Sequence, residues 1–282
     1  MRWEGRRTSQ NIEDRRGMRF GKAGGIGLGG VLLALVAMYF GVDPSVVLQG
    51  VQQPSQQAEQ VPYQESPEEA HLREFISFVL ADTEDTWHAI FNAAGRTYEE
   101  PTLVLFSGAV ESACGFAQAA VGPFYCPGDH KLYIDLSFYQ DLQSRFGAPG
   151  DFAQAYVVAH EVGHHVQTLL GISERTMAAR QRASEAEANA LSVRQELQAD
   201  CFAGIWAHNA DRSRQLLESG DVEEGLNAAA AVGDDRLQQQ SRGYVSPESF
   251  THGSSEQRVR WFKRGFEQGK VESCDTFNTR SL

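Results

Sequence analysis

Two histidines stand four residues apart, His160 and His164, with Glu161 beside the first, in the run HEVGH. On a helix of 3.6 residues per turn, positions four apart differ by about 40°, so both imidazoles face one way. Such a face offers two ring nitrogens to one zinc ion, and the adjacent glutamate is placed to hold a water. A catalytic zinc takes a third protein ligand and keeps one position open. Downstream, Glu196 and Asp200 are again four apart, in ELQAD. A glutamate ligand, followed one turn later by an aspartate that accepts the outer N–H of a ligand histidine, completes the arrangement. The expected metal is one Zn2+ per chain, held by His160, His164 and Glu196. Glu161 is the general base and Asp200 holds one ring in its tautomer.

The elements that must position these groups are legible as helices. In DFAQAYVVAHEVGHHVQTLLG, residues 151–171, apolar residues recur at helical spacing, with Asp151 where an N-cap would sit and Gly171 where a C-cap would. His165, one residue past His164, points about 100° away from the metal face. Residues 184–208 are strong helix formers with almost no breakers. The segment 172–183 between the two helices is placed to cover the cleft.

HEVGHHVQ followed by ELQADCFAG resembles the gluzincin metallopeptidases, and more narrowly the bacterial family of putative neutral zinc metallopeptidases. The resemblance spans roughly residues 70 to 270 together with the basic start. It implies an α+β, zincin-like fold with a small, mostly antiparallel sheet before long metal-bearing helices, and a peptide or protein substrate. It further implies that the strand Lys131–Leu136 is the sheet edge receiving an extended substrate, and that a late histidine or tyrosine stabilises the oxyanion. His252, in the loop Thr-His-Gly-Ser, is the expected oxyanion residue and Tyr244 the alternative. The competing function is a membrane-anchored binding protein whose zinc is structural.

Net charge is −12 over 282 residues, unevenly spread. Residues 1–22 hold seven basic and three acidic residues, leaving 18 basic against 34 acidic in the rest. An acidic body excludes nucleic-acid binding, which wants a basic face. Residues 23–42 carry no charge over a length that suits one membrane crossing, and the basic residues before them predict a cytoplasmic N-terminus. The expected organisation is therefore a basic N-terminus (1–22), a transmembrane anchor (23–42), a Gln/Pro-rich linker (43–66) and a zinc peptidase domain (67–282) outside the cytoplasm of a bacterium. A cleaved signal peptide is the other reading of the apolar run.

Four cysteines in an exported body suggest two disulfides. Closeness in sequence favours Cys114–Cys126, leaving Cys201–Cys274; buried thiols are the alternative. Ser66, Pro67 and Glu69 form a capping signature for a helix carrying Leu72, Phe75, Ile76 and Val79. PTLVLFSG reads as a strand, and GPFYC with KLYIDL as a hairpin around Cys-Pro-Gly-Asp, with His130 in the turn. Two helices joined at Ser219-Gly220 are expected after Trp206, and a last helix is capped by Ser254 or Ser255. Arg258, on that last helix, is either a partner of an acidic site residue or a solvated charge.

Overall fold

The computed structural model describes residues 1–19, 59–60 and 63–282, which divide into two units: Met1–Asp14 with Glu65–Leu282, and Arg15–Gln64. In the smaller unit, β2 (Met18–Arg19) pairs antiparallel with β3 (Glu59–Gln60). The charge-free run 23–42 and most of the expected linker lie outside the described residues. Among the described residues no helix is long and apolar enough to cross a membrane.

The larger unit is α+β, with a mixed four-stranded sheet and eight α-helices among the described residues. It opens with β1 (Ile12–Asp14) and α1 (Pro67–Ala93), the latter started by the expected capping box of Ser66 and Glu69. β4 (Thr102–Phe106) follows, then the hairpin β5 (Ala109–Ser112) and β6 (Gly115–Gln118), then β7 (Phe124–Cys126) and β8 (Lys131–Asp135). The sheet order is β1-β4-β8-β7. β1, β4 and β8 run parallel and only β7 runs antiparallel, against β8. The expected mostly antiparallel sheet is thus corrected, because the β5–β6 hairpin lies in the connection that brings β8 back beside β4 in the same direction. β4 is buried on both faces from Leu103 to Phe106, as parallel strands are. A second correction follows from the same order. β8 is paired on both sides; among the described residues the edges are β1 and β7, and β7 is the one that lines the metal cavity.

The expected basic segment 1–22 begins with residues that belong to the larger unit. Its first 14 residues are built into it, for β1 pairs with β4 in the register Ile12↔Leu103 to Asp14↔Leu105. Side chains reinforce the join. Arg7 donates to Glu84 (3.1 Å) and Asp85 (2.7 Å), Ser9 donates to Glu84, and the Trp3 ring lies 5.3 Å from that of Phe75. These partners are all on α1, so its buried Glu84 is matched by donors from the N-terminal segment.

The helices that follow are α2 (Ser137–Ser144), α3 (Asp151–Leu169), α4 (Ile172–Arg180), α5 (Glu185–Arg214), α6 (Asp221–Ala231), α7 (Asp234–Arg242) and α8 (Ser255–Gln268). α5 begins at a Ser184–Glu187 capping box and α8 at one of Ser254 and Gln257. Each box satisfies two of the orphan N–H groups of a helix start. Asp151 is the first residue of α3, whose N-cap is Gly150, so it does not cap; its carboxylate meets the Met1 ammonium at 2.8 Å. α3, α5 and α8 pack around one apolar core containing Phe152, Val162, Phe202, Trp206 and Phe262. α8 lies so close to α5 that a Cβ at Gly265 would overlap the Cys201 carbonyl. Both expected disulfides, Cys114–Cys126 and Cys201–Cys274, are formed.

Candidate metal centre

α3 presents His160 and His164 on one face and α5 crosses it to present Glu196. The three ligand atoms converge. His160 Nε2 lies 3.2 Å from His164 Nε2 and 3.2 Å from Glu196 Oε2, and His164 Nε2 lies 3.4 Å from Glu196 Oε1. A tetrahedral zinc with ligands at about 2.1 Å separates its ligand atoms by roughly 3.4 Å. The spacing and the His2Glu donor set therefore fit zinc.

Each ligand ring is held from behind. Asp200, fully buried at 0% exposure, has its Oδ1 2.8 Å from His160 Nδ1. With Nδ1–H donated there, Nε2 would be left free for a metal. Asp200 also accepts from the Tyr156 hydroxyl and, in a fork, from Arg258 Nε (2.8 Å) and Nη2 (2.9 Å). Arg258 is only 4% exposed, so it is the buried partner of the site's aspartate and not a solvated charge. Burial works against the Asp200 carboxylate, yet Arg258 and His160 hold it down at about 2. Burial likewise opposes protonation of His160, but Asp200 and Glu196 push it up to about 10.

His164 is fixed by a residue that the sequence reading passed over. Gln167 Oε1 lies 2.9 Å from His164 Nδ1, while Gln167 Nε2 donates to Gln195 O (2.7 Å) and Gln198 Oε1 (3.1 Å). The signal was its position three residues after His164, on the same helical face.

Glu161 is buried beside the triad and lines the same cavity of about 560 Å³. Burial raises its pKa, opposed by His160 and His164. A raised carboxylate pKa is the direction that a general base requires. β7 forms part of the wall through Phe124 and Tyr125.

His252 reaches this cavity from the loop between α7 and α8. Its Nδ1 lies 3.3 Å from Asp234 Oδ1, and Asp234 Oδ2 accepts backbone N–H groups from Thr251 (2.7 Å), His252 (2.6 Å) and Gly253 (3.0 Å). Asp234, at the start of α7, thus wraps the loop and aims the ring; the sequence reading had not singled it out. Tyr244 is 62% exposed and does not line the cavity. His165 points away as expected, between the Tyr125 hydroxyl (3.1 Å) and the Glu99 carbonyl (2.6 Å), where burial pulls its pKa down to about 4. His130 occupies the β7–β8 turn with φ 57°.

The family described as "Putative neutral zinc metallopeptidase" matches residues 1–277. The uncharacterized protein YpfJ of Escherichia coli K12 is 53% identical over 98% of this chain and 99% of its own. The uncharacterized protein Rv2575 of Mycobacterium tuberculosis is 42% identical over 87% of this chain and 86% of its own. No solved structure matches the chain. A match over nearly the whole length, on a chain whose His160, His164 and Glu196 converge as a set that could hold a metal ion, places the protein in one group: it belongs to the putative neutral zinc metallopeptidase family.

Proposed function

We propose that the chain is a zinc-dependent endopeptidase acting outside the cytoplasm. The observation that supports it best is the convergence of three ligand atoms on a cavity that also holds Glu161 and His252. A structural zinc site is normally sealed by four side chains, whereas this set of three opens on a cleft, which speaks against a binding protein without turnover. When bound, the metal supplies Lewis acidity, polarising the scissile carbonyl and acidifying water.

The chain's own residues supply the rest. Glu161 takes the proton of the attacking water and returns it to the leaving amine. His252, whose pKa is raised by its hydrogen bond to Asp234, donates to the oxyanion as it forms. Asp200 and Gln167 hold the two ligand rings, and Arg258 balances the Asp200 charge. β7, the open sheet edge beside the cleft, receives the extended substrate by strand addition. Two disulfides favour an oxidising compartment.

The test is zinc content beside casein hydrolysis on the full chain, wild type and Glu161→Gln. One zinc in both, with hydrolysis only in the wild type, is the expected result. Zinc in both and no hydrolysis of casein or of a mixed peptide library returns weight to the binding protein. No zinc in either overturns the reading.

A further inference from the structure

The segment between the two metal-bearing helices has a charge opposite to that of its surroundings. Residues 172–183 carry Arg175, Arg180 and Arg182 against the single Glu174, in a body whose acidic residues outnumber its basic ones almost two to one. All three arginines are exposed, and among the described residues none forms an ion pair.

α4 turns one of these cations into the cleft. Ser173, Met177 and Arg180 follow one another at i, i+4 and i+7, the spacing of one helical face. Ser173 and Arg180 both line the metal cavity, and Met177 between them is 59% exposed. Thr176, on another face, is buried against the protein. On the far rim Val121, 70% exposed, also lines the cavity. The other arginine of the cavity, Arg258, is neutralised by Asp200, and the cavity's carboxylates, Glu161 and Glu196, belong to the metal site. Among the described residues lining the cavity, Arg180 is therefore the guanidinium left for something that enters it.

We propose that Arg180 reads a carboxylate on the substrate, with Arg175 and Arg182 adding to the local positive field and Met177 and Val121 contacting apolar groups beside it. The substrate class is an extended polypeptide segment with an acidic group next to bulky apolar residues. The carboxylate comes either from an Asp or Glu side chain or from a C-terminus, since both present the planar pair of oxygens that a guanidinium binds. This inference rests on the peptidase reading of the same cleft. In a cleft partly open to water the effect is of the size of one exposed ion pair, about fivefold in KM, with kcat little changed.

The experiment uses the full-length protein loaded with zinc. Peptides of one apolar sequence carry Glu, Gln or Lys at each position in turn, each with a free or an amidated C-terminus. Hydrolysis by the wild type is compared with hydrolysis by Arg180→Glu and Arg180→Gln. Binding of the same peptides, fluorescently labelled, is followed by anisotropy on Glu161→Gln with and without Arg180→Glu, which reads the preference without turnover. The expected result is tighter binding and lower KM for Glu over Lys, lost in Arg180→Gln and reversed in Arg180→Glu. An effect of the free C-terminus alone assigns the carboxylate to the chain end; an effect of internal Glu alone assigns it to a side chain. Equal binding of Glu, Gln and Lys peptides, with equal binding of free and amidated ends, overturns the inference, whether or not the wild type hydrolyses them. Absence of hydrolysis with the charge preference intact overturns the peptidase reading and leaves the carboxylate site standing.

Discussion

Gly163 faces the backbone of Ala199 so closely that a Cβ at position 163 would lie 2.9 Å from the Ala199 carbonyl oxygen and 3.1 Å from its Cα. The second variable position of HEVGH is thus where α5 crosses α3. That close crossing lets Glu196 and Asp200 reach the two histidines from a helix 30 residues long. Gly163→Ala is expected to push α5 outward, lowering stability by about 1–3 kcal/mol as overpacking does. Zinc affinity, read by competition with a chelator, should fall with it. Unchanged zinc affinity would show that α5 moves without carrying Glu196 away.

Asp200→Ala removes the acceptor of His160 and strands Arg258 in the core. Leaving a buried charge uncompensated costs about 3–5 kcal/mol. Denaturant unfolding should show a loss of that order, and Asp200→Ala with Arg258→Met should recover part of it. Neither variant should regain wild-type zinc affinity, because the histidine acceptor is absent from both.

The pH profile follows from His252 and Asp234. The hydrogen bond that His252 donates to Asp234 raises the pKa of His252, so its protonated form persists to higher pH than that of an ordinary histidine. Its contribution to stability is complete below the usual histidine value and is lost as pH climbs through the raised one. Burial works against the Asp234 carboxylate, yet His252 and the loop N–H groups hold it low, so its share persists at neutral pH and is lost as pH falls through the lowered value. In kcat/KM against pH, Asp234→Asn should move the alkaline limb to lower pH and His252→Gln should remove it. An alkaline limb identical in all three proteins would exclude His252 as the donor.

The Cys201–Cys274 bridge closes a loop across 73 residues and follows Asp200 directly in sequence. Replacing both cysteines by serine is expected to cost about 2–5 kcal/mol, with Gln198, whose Nε2 donates to the Cys274 carbonyl at 2.9 Å, losing its fixed partner. Thermal unfolding with and without reductant checks this: the serine variant should be insensitive to reductant and the wild type sensitive.

What the sequence revealed and what it hid divide along chain distance. His160, Glu161 and His164 share one helical face, and that periodicity is local. Glu196 and Asp200 repeat it on a second helix, and Ser66 announces its helix through Glu69 three positions away. The strand order was hidden because it depends on pairings across long separations: β7 is three residues long, and nothing in Phe124–Cys126 says that its outer edge stays open. Arg258 and Asp234 were hidden for a related reason. A charge on a helix reads as solvated until the helix that covers it is known, here α5 over Arg258 and the His252 loop over Asp234. β1 escaped because Ile-Glu-Asp lacks an apolar alternation; its backbone pairs at a sheet edge where side chains need little burial.

β1 carries a consequence of another kind, one of sidedness. Neighbouring strands of a sheet occupy the same compartment, so the start of the chain and the domain behind residue 65 share one side of any lipid bilayer. The pairing of Ile12 with Leu103 therefore predicts that the two strands meet any reagent from the same side. Cysteines placed at Gly5 and at Asn92 in a cysteine-free background should then react together, or be shielded together, when intact cells meet an impermeant maleimide. One labelled and the other protected would mean that the pairing of Ile12 with Leu103 does not form in the cell.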